Sequence, residues 1–554
     1  MPQWLDKAVF YEIYPQTFFD SNNDGIGDIN GIVQKLDYIK DLGCNAIWMN
    51  PCFDSPFKDA GYDVRDYRKV APRYGTNDDL FNLFAEAHRR GMKIILDLVP
   101  GHTSEEHQWF QESKGITPNE ELKNRHIWTD SWYFWGIEGL KFIAGEAERD
   151  GCYIINFFKS QPALNYGFLN RRESWQLPPD HPDCIATREA MKDIMRFWLK
   201  GGNGHGCDGF RVDMADSLVK FDDDQKSATS AIWKNVRAMF DSEFPEAALV
   251  SEWSNPPQAL KAGFHVDFLL DHGNSGYRSL VRNYENGGEN NSYFKKDGNG
   301  GISCFLDQYL PWYNATKNDG YISLITGNHD TPRISHGLDT RELMLAYGMI
   351  FTMPGVPFMY YGDEIGMKYL YFLSTKEGGY GRTGSRTPFQ WCAKEKIKMS
   401  NEKTQTAHMT IPRSPIPDPL SANMGFSAAK PELLYLPVDA DPMAPNVEDQ
   451  EKDAGSLLNT VKAILRLRHS EDDLGSKPNL EIIHAPAAGS QDRSFIYRRA
   501  SCVIGINPSA DTVLVPVEIG GKTELLFAVG NCSLNDGCCK LESQSFGVWK
   551  IREE

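Results

Sequence analysis

The chain has 554 residues, 41% hydrophobic and 24% charged, which is a globular balance over a length too great for one ordinary core. Its formal net charge of −17 argues against nucleic acid and anionic membrane as partners, since both call for basic surface. No run approaches the roughly 18 unbroken apolar residues of a membrane-spanning helix.

The start, MPQWLDKAVFYEIYP, lacks the basic-then-apolar order of a signal peptide. Eleven cysteines without metal-ligand spacing suit a reducing compartment, so a cytoplasmic protein is expected. VFYEIYPQTF (9–18) is the first predicted strand, and it runs into DSNNDGIGDINGI (20–32). That loop has oxygen side chains at alternate positions and Gly25 sixth, as in an EF-hand. An EF-hand also needs a bidentate Glu at position twelve and a helix on each side. Position twelve is Gly31 and a strand comes before, so the EF-hand is excluded.

INGIVQKLDYIKDLG follows with apolar residues at three- and four-residue steps, the helical period. NAIWMNPCF (45–53) is a second strand. DDLFNLFAEAHRRG is a second helix, with Asp near its start and Gly just after its end. KIILDLVPGH (93–102), CDGFRVDMA (207–215), AALVSEW (247–253), FHVDFLL (264–270), YISLITGNHD (321–330) and PFMYYGDEIG (357–366) complete eight strands. Strands alternating with helices imply an α/β chain with a parallel sheet and right-handed crossovers. Eight such units predict a (β/α)8 TIM barrel, whose active site lies at the C-terminal strand ends.

The gap after the third strand is far longer than a usual connection and holds Trp109, Trp128, Trp132 and Trp135. It reads as an inserted subdomain. A second long segment, roughly 368–445, follows the eighth strand. After the helix SLLNTVKAILRLRHS the tail alternates apolar and polar residues, the pattern of a C-terminal antiparallel β-sandwich. The expected division is a barrel from 1–102 and 186–477, an insertion over 103–185 and a β domain over 478–554.

Asp213, Glu252 and Asp330 fall at the ends of three different strands. Convergent carboxylates repel, so one must stay anionic and another hold a proton. Retaining glycoside hydrolysis needs that split: one carboxylate attacks the anomeric carbon while the other protonates the leaving oxygen.

These residues lie in an ordered set: GYDVRDY (61–67), DLVPGH (97–102), GFRVD (209–213), SEW (251–253), GNHDTPR (327–333) and RTPFQW (386–391). Together with NVEDQEKDAGSLLN (446–459), the set resembles the α-amylase superfamily, glycoside hydrolase family 13, over almost the whole chain. The branch it resembles is that of the α-glucosidases and oligo-1,6-glucosidases. The resemblance implies that Asp213 is the nucleophile, Glu252 the general acid/base, and Asp330 the acid that holds the sugar's hydroxyls. Arg211 would keep Asp213 ionised. His102 and His329 would hydrogen-bond to the sugar, Tyr62 would stack on it and Asp63 would bind its far hydroxyls. Arg386 is either a sugar contact or a structural ion pair.

Relatives in this branch carry a calcium loop after the first strand. Here its ligands would be Asp20, Asn22, Asp24 and Asp28 with the carbonyl of Ile26. Such hard oxygen donors suit Ca2+, and also admit Mg2+ or a loop closed by hydrogen bonds alone.

Three positions depart from the family pattern: Gly101 replaces an Asn before His102, Met214 follows the nucleophile, and Ala163 replaces an acid in QPALN (161–165). They leave the linkage open. The expected activity is hydrolysis of short α-glucosides, disaccharide or oligosaccharide, from the non-reducing end by double displacement. Transfer or isomerisation of the same glucosyl group, as in trehalose synthase or sucrose isomerase, is the alternative. A non-catalytic scaffold of this fold would have lost the acids that this chain keeps.

Overall fold

Eight short runs with no polar face become eight strands buried on both sides, as parallel strands covered by helices must be. The structure is a computed structural model and describes residues 1–130, 139–271, 273, 275–284, 289–393, 423–535 and 537–552. Trp132, Trp135 and the middle of the second long segment lie outside the described residues.

The barrel strands are β1 (Phe10–Ile13), β2 (Ala46–Met49), β3 (Lys93–Leu98), β4 (Gly209–Val212), β5 (Ala248–Ser251), β6 (Val266–Leu269), β7 (Tyr321–Leu324) and β8 (Phe358–Tyr360). They form one parallel sheet in the order β7-β6-β5-β4-β3-β2-β1-β8. A parallel bridge from Ile325 to Phe358 closes the ends, with the Thr326 N–H donating to the Phe358 carbonyl at 2.9 Å. All eight predicted strands are therefore present, in a barrel.

Local chemistry sets the helix ends. Helix α1 (Ile29–Leu42) starts at Asp28, whose carboxylate accepts the Gly31 N–H, and stops at Gly43 with φ 106°. Helix α2 (Asn77–Arg89) opens with a reciprocal capping box between Thr76 and Asp79.

Between β3 and β4 a three-stranded antiparallel sheet orders Trp128–Thr129, Cys152–Ile155 and Lys141–Ala144 around Phe110, Trp128 and Tyr153. After the helix Leu457–Ser470 come a five-stranded and a three-stranded antiparallel sheet. They share a core of Ile496, Val503, Leu534, Cys539 and Trp549. Phe546 of this β unit lies so close to Gly348 in a barrel helix that a Cβ there would meet its ring at 2.9 Å. Among the described residues no helix is long and apolar enough to cross a membrane.

One buried acid makes stability depend on pH. Glu364 Oε1 accepts from the Tyr11 and Tyr38 hydroxyls at 2.6 and 2.9 Å, while Oε2 is buried without a hydrogen-bond partner. Burial pushes this carboxyl up to about 7. A carboxyl raised in the folded state favours folding below its unfolded value and loses that contribution as pH rises through the folded value. Glu364→Gln should therefore gain on the wild type by up to about 3 kcal/mol between pH 4.5 and 8. Denaturant unfolding of both proteins at the two pH values checks this; a pH-independent difference would reject it.

Candidate active site

Ladder hydrogen bonds carry two acids out of the sheet side by side. The Asp213 N–H donates to the Leu98 carbonyl at 2.9 Å, and the Glu252 N–H donates to the Val212 carbonyl at 3.0 Å. Met214 then takes a left-handed conformation, φ 43°, uncommon for a non-glycine residue, and its N–H reaches Glu252 Oε2 at 3.1 Å. Asp330 sits in a turn after β7, its N–H held by Asn328 Oδ1 at 3.0 Å. The three acids line one cleft of about 280 Å³, together with Tyr62, His102 and Met214. Phe157 and Phe158 of the insertion and the pair Asp59 and Arg382 complete its walls.

Arg211 forms the floor. It is buried, with Nη1 at 2.8 Å from Asp97 Oδ1 and 3.2 Å from Asp213 Oδ1, and Nη2 at 2.7 Å from Glu252 Oε2. Its guanidinium lies 4.9 Å from the centre of the Trp48 ring. One cation thus faces three carboxyl groups. Burial and then the Glu252 charge push Asp213 well above the carboxylate range, against the pull of Arg211. Burial also lifts Asp97 to about 6, again opposed by Arg211.

Asp330 behaves oppositely. Burial would raise it, but the adjoining His329 ring and the Arg386 and Arg382 guanidiniums hold it well below the usual range. Burial drives His329 itself down, and the two arginines each lie 2.9 Å from Asp330 Oδ1.

Not every expected residue reaches the cleft. His329 is fully buried behind it: Nδ1 lies 2.8 Å from Glu12 Oε1 and Nε2 2.7 Å from the Tyr62 hydroxyl. Asp63 is buried as well, its oxygens taken by the Ser55 hydroxyl and the N–H groups of Lys58 and Asp59. It shapes the turn that presents Asp59, and Asp59 is the acid in the wall. Arg386 is a structural ion pair that also donates to the His329 carbonyl at 2.8 Å. Tyr62 and His102 do line the cleft.

Asp59 and Arg382 were not foreseen. Arg382 bridges Asp330 at 2.9 Å and Asp59 at 3.2 Å, and Gln161 holds the other Asp59 oxygen at 2.8 Å. The available signal was Arg382 four residues before Arg386 in RTGSR.

The missing Asn beside His102 has a substitute from the insertion. Asn156 Nδ2 donates to the Gly101 carbonyl at 2.9 Å and lies 3.3 Å from His102 Nδ1, while Lys220 Nζ donates to its Oδ1 at 3.0 Å. A Cβ at position 101 would meet that amide at 3.1 Å, so glycine makes the room. His102 Nε2 lies 3.0 Å from the Tyr62 carbonyl, and burial lowers the ring to about 4, which keeps it neutral.

The oxygen atoms of the loop after β1 are tied into a network of hydrogen bonds. Asp20 accepts four hydrogen bonds, from the N–H groups of Asn22, Asn23 and Gly25 and from the Ser427 hydroxyl, which uses its acceptor sites. Asp24 accepts the Ile26 N–H, Asn22 the Asp24 N–H, and Asp28 the Ser21 and Gly31 N–H groups and the Ser21 hydroxyl. Among the described residues no three His, Cys, Asp or Glu side chains converge to hold a metal. The side chains of the expected ligands Asp20, Asn22, Asp24 and Asp28 thus form a hydrogen-bonded staple, and Ile26 joins it through its N–H. A chelator should leave the thermal midpoint within about 1 °C, whereas an ion bound a hundredfold above its Kd would add about 2.7 kcal/mol. A drop of several degrees, restored by Ca2+, would overturn this.

Comparison with known proteins places the chain in a family. The alpha-amylase catalytic-domain model matches residues 12–476. The trehalose synthase/amylase TreS of Mycobacterium tuberculosis is 32% identical over 518 residues, 84% of this chain and 75% of the relative. The oligo-1,6-glucosidase of Heyndrickxia coagulans is 31% identical over 511 residues, 85% and 86% of the two chains. Among solved structures, the trehalulose synthase MutB of Pseudomonas mesoacidophila superposes with a TM-score of 0.75 at 22% identity, over 99% of both chains, a likeness of fold.

Proposed function

The chain belongs to the α-amylase family, and on that basis we propose that it is a retaining α-glucosidase acting on the non-reducing end of short α-glucosides. In the first step the Asp213 carboxylate attacks the anomeric carbon while Glu252 gives its proton to the leaving oxygen. In the second, Glu252 takes a proton from water, which releases glucose from Asp213 with the α configuration kept. Arg211 balances the charge that Asp213 carries between attacks.

The observation that carries the end-acting reading is the wall in which Arg382 links Asp59 to Asp330. Three charged side chains suit a terminal sugar, whose free hydroxyls can bond to them, better than a continuing polymer. Arg382→Ala should raise KM for maltose or isomaltose about tenfold or more, as loss of a charge-assisted hydrogen bond does. An unchanged KM would remove the wall from substrate recognition.

A second reading keeps the covalent intermediate and passes it to a sugar instead of water. It is favoured by the TreS and oligo-1,6-glucosidase relatives standing at nearly equal identity. It is also favoured by Phe157, 42% exposed on the cleft wall, which offers a released sugar a face to rest on. Product analysis with maltose, isomaltose, sucrose, trehalose, kojibiose and nigerose separates the two. Glucose as main product from at least one disaccharide supports hydrolysis; isomeric disaccharides in excess support transfer. Proton NMR of the first sugar released should show the α-anomer, and β-anomer would refute retention.

A further inference from the structure

The turn that carries Asp330 into the catalytic cleft borders a second cavity. Thr331 and Pro332, the next two residues, line this separate space of about 460 Å³. Its surface combines aromatic rings with a neutralised pair of charges. His336 is ringed by Tyr284 at 6.4 Å, nearly parallel to it, and by Tyr371 at 5.0 Å. Tyr369 meets Tyr371 edge-on at 4.8 Å. The Tyr371 hydroxyl is tied to His336 Nδ1 at 2.7 Å, which fixes the ring although it is 49% exposed.

Asp271 and Arg282 lie deeper and form an ion pair at 2.9 Å. Asp271 is only 4% exposed, and its Oδ1 is buried without a hydrogen-bond partner. A buried acceptor left open is costly unless something fills it. Arg278, whose Nη1 donates to the Gly273 carbonyl, and Arg333, paired with Asp363, also line the space and add further N–H donors. Flat apolar rings beside buried hydrogen-bonding groups match a neutral polyol with one apolar face, which is a sugar ring.

We propose that this cavity is a second, non-catalytic binding site for α-glucosides, with a sugar ring packed in the corner between Tyr371 and Tyr369 and its hydroxyls bonded to the polar groups around Arg278 and Arg282. The inference rests on the α-glucoside reading of the catalytic cleft. The two sites share one turn, residues 328–337, so a chain of several sugars held in the second would be kept beside the first.

The experiment uses the full chain with Asp213→Asn, titrated calorimetrically with maltotetraose and separately with isomaltotetraose. Two binding events per chain are expected with at least one of these sugars. Adding Tyr371→Ala should weaken one event about five- to tenfold, the loss expected of one aromatic contact, and leave the other unchanged. Tyr369→Ala serves as an independent second variant, with circular dichroism confirming that each protein is folded. On the active enzyme, Tyr371→Ala should leave kcat/KM for 4-nitrophenyl α-glucoside within twofold. One binding event with both sugars, or two that neither substitution alters, overturns the second site. Failure of the active enzyme to turn over any α-glucoside overturns the functional reading instead, so the two failures are distinct.

Discussion

Asp213→Asn is expected to lower turnover of 4-nitrophenyl α-glucoside by about 10⁴-fold or more while the far-ultraviolet spectrum stays unchanged. The size follows from chemistry: an amide cannot form the glycosyl ester, and water alone offers no comparable nucleophile at that position. The fold should survive because the main-chain bond from Asp213 to Leu98 does not involve the carboxyl, and Asn is isosteric. Glu252→Gln should slow the first step by a similar factor with poor leaving groups and far less with activated ones, which need no proton, while the second step stays slow with either. A fall of less than about tenfold for Asp213→Asn would remove it from the chemistry.

Arg211→Ala is the second large effect, and it should damage both stability and rate. The guanidinium is buried against Asp97, Asp213 and Glu252. Its removal leaves those carboxyl groups without their cation, a loss of about 3–5 kcal/mol for a broken buried pair. Because Arg211 pulls Asp213 down against burial, its removal lets that acid rise further. The acid limb of the pH–rate profile should then move to higher pH, as more alkali is needed to ionise the nucleophile. Arg211→Lys should recover part of the stability and less of the rate, since one ammonium cannot reach two acids in the planar way a guanidinium does. Urea unfolding and a pH–rate series on both variants check the two halves separately. Stability lost with an unmoved acid limb would leave Arg211 a structural residue only.

What could be read from the sequence follows the range of the interaction concerned. The eight strands were legible because a buried parallel strand is a local run of apolar residues, and Asp213, Glu252 and Asp330 were legible because each sits at the end of such a run. Asp59, Arg382 and Asn156 were not. Arg382 meets Asp59 across 323 positions, and Asn156 reaches His102 from an insertion with no period of its own. Asp63 misled because it stands next to Tyr62 in the motif, yet its backbone partners turn it inward and leave the wall to Asp59. The loop from Asp20 to Asp28 is ambiguous in sequence for a related reason. Side-chain oxygens at alternate positions suit a cation, and they equally suit a chain of turns in which each oxygen accepts an N–H two or three residues on. The hydrogen bonds from Asn22, Asn23, Asp24 and Ile26 are of the second kind.

All of this turns on one bond, the ester between Asp213 and a glucosyl carbon. Glu252→Gln enzyme treated with 5-fluoro-α-D-glucosyl fluoride should form that ester and break it slowly, because the base that activates water is gone. Mass spectrometry should then find one fluorohexosyl unit per chain, within the peptide VDMADSLVK (212–220) and on Asp213. No adduct while the leaving group is still released, or an adduct on another residue, would contradict the assignment.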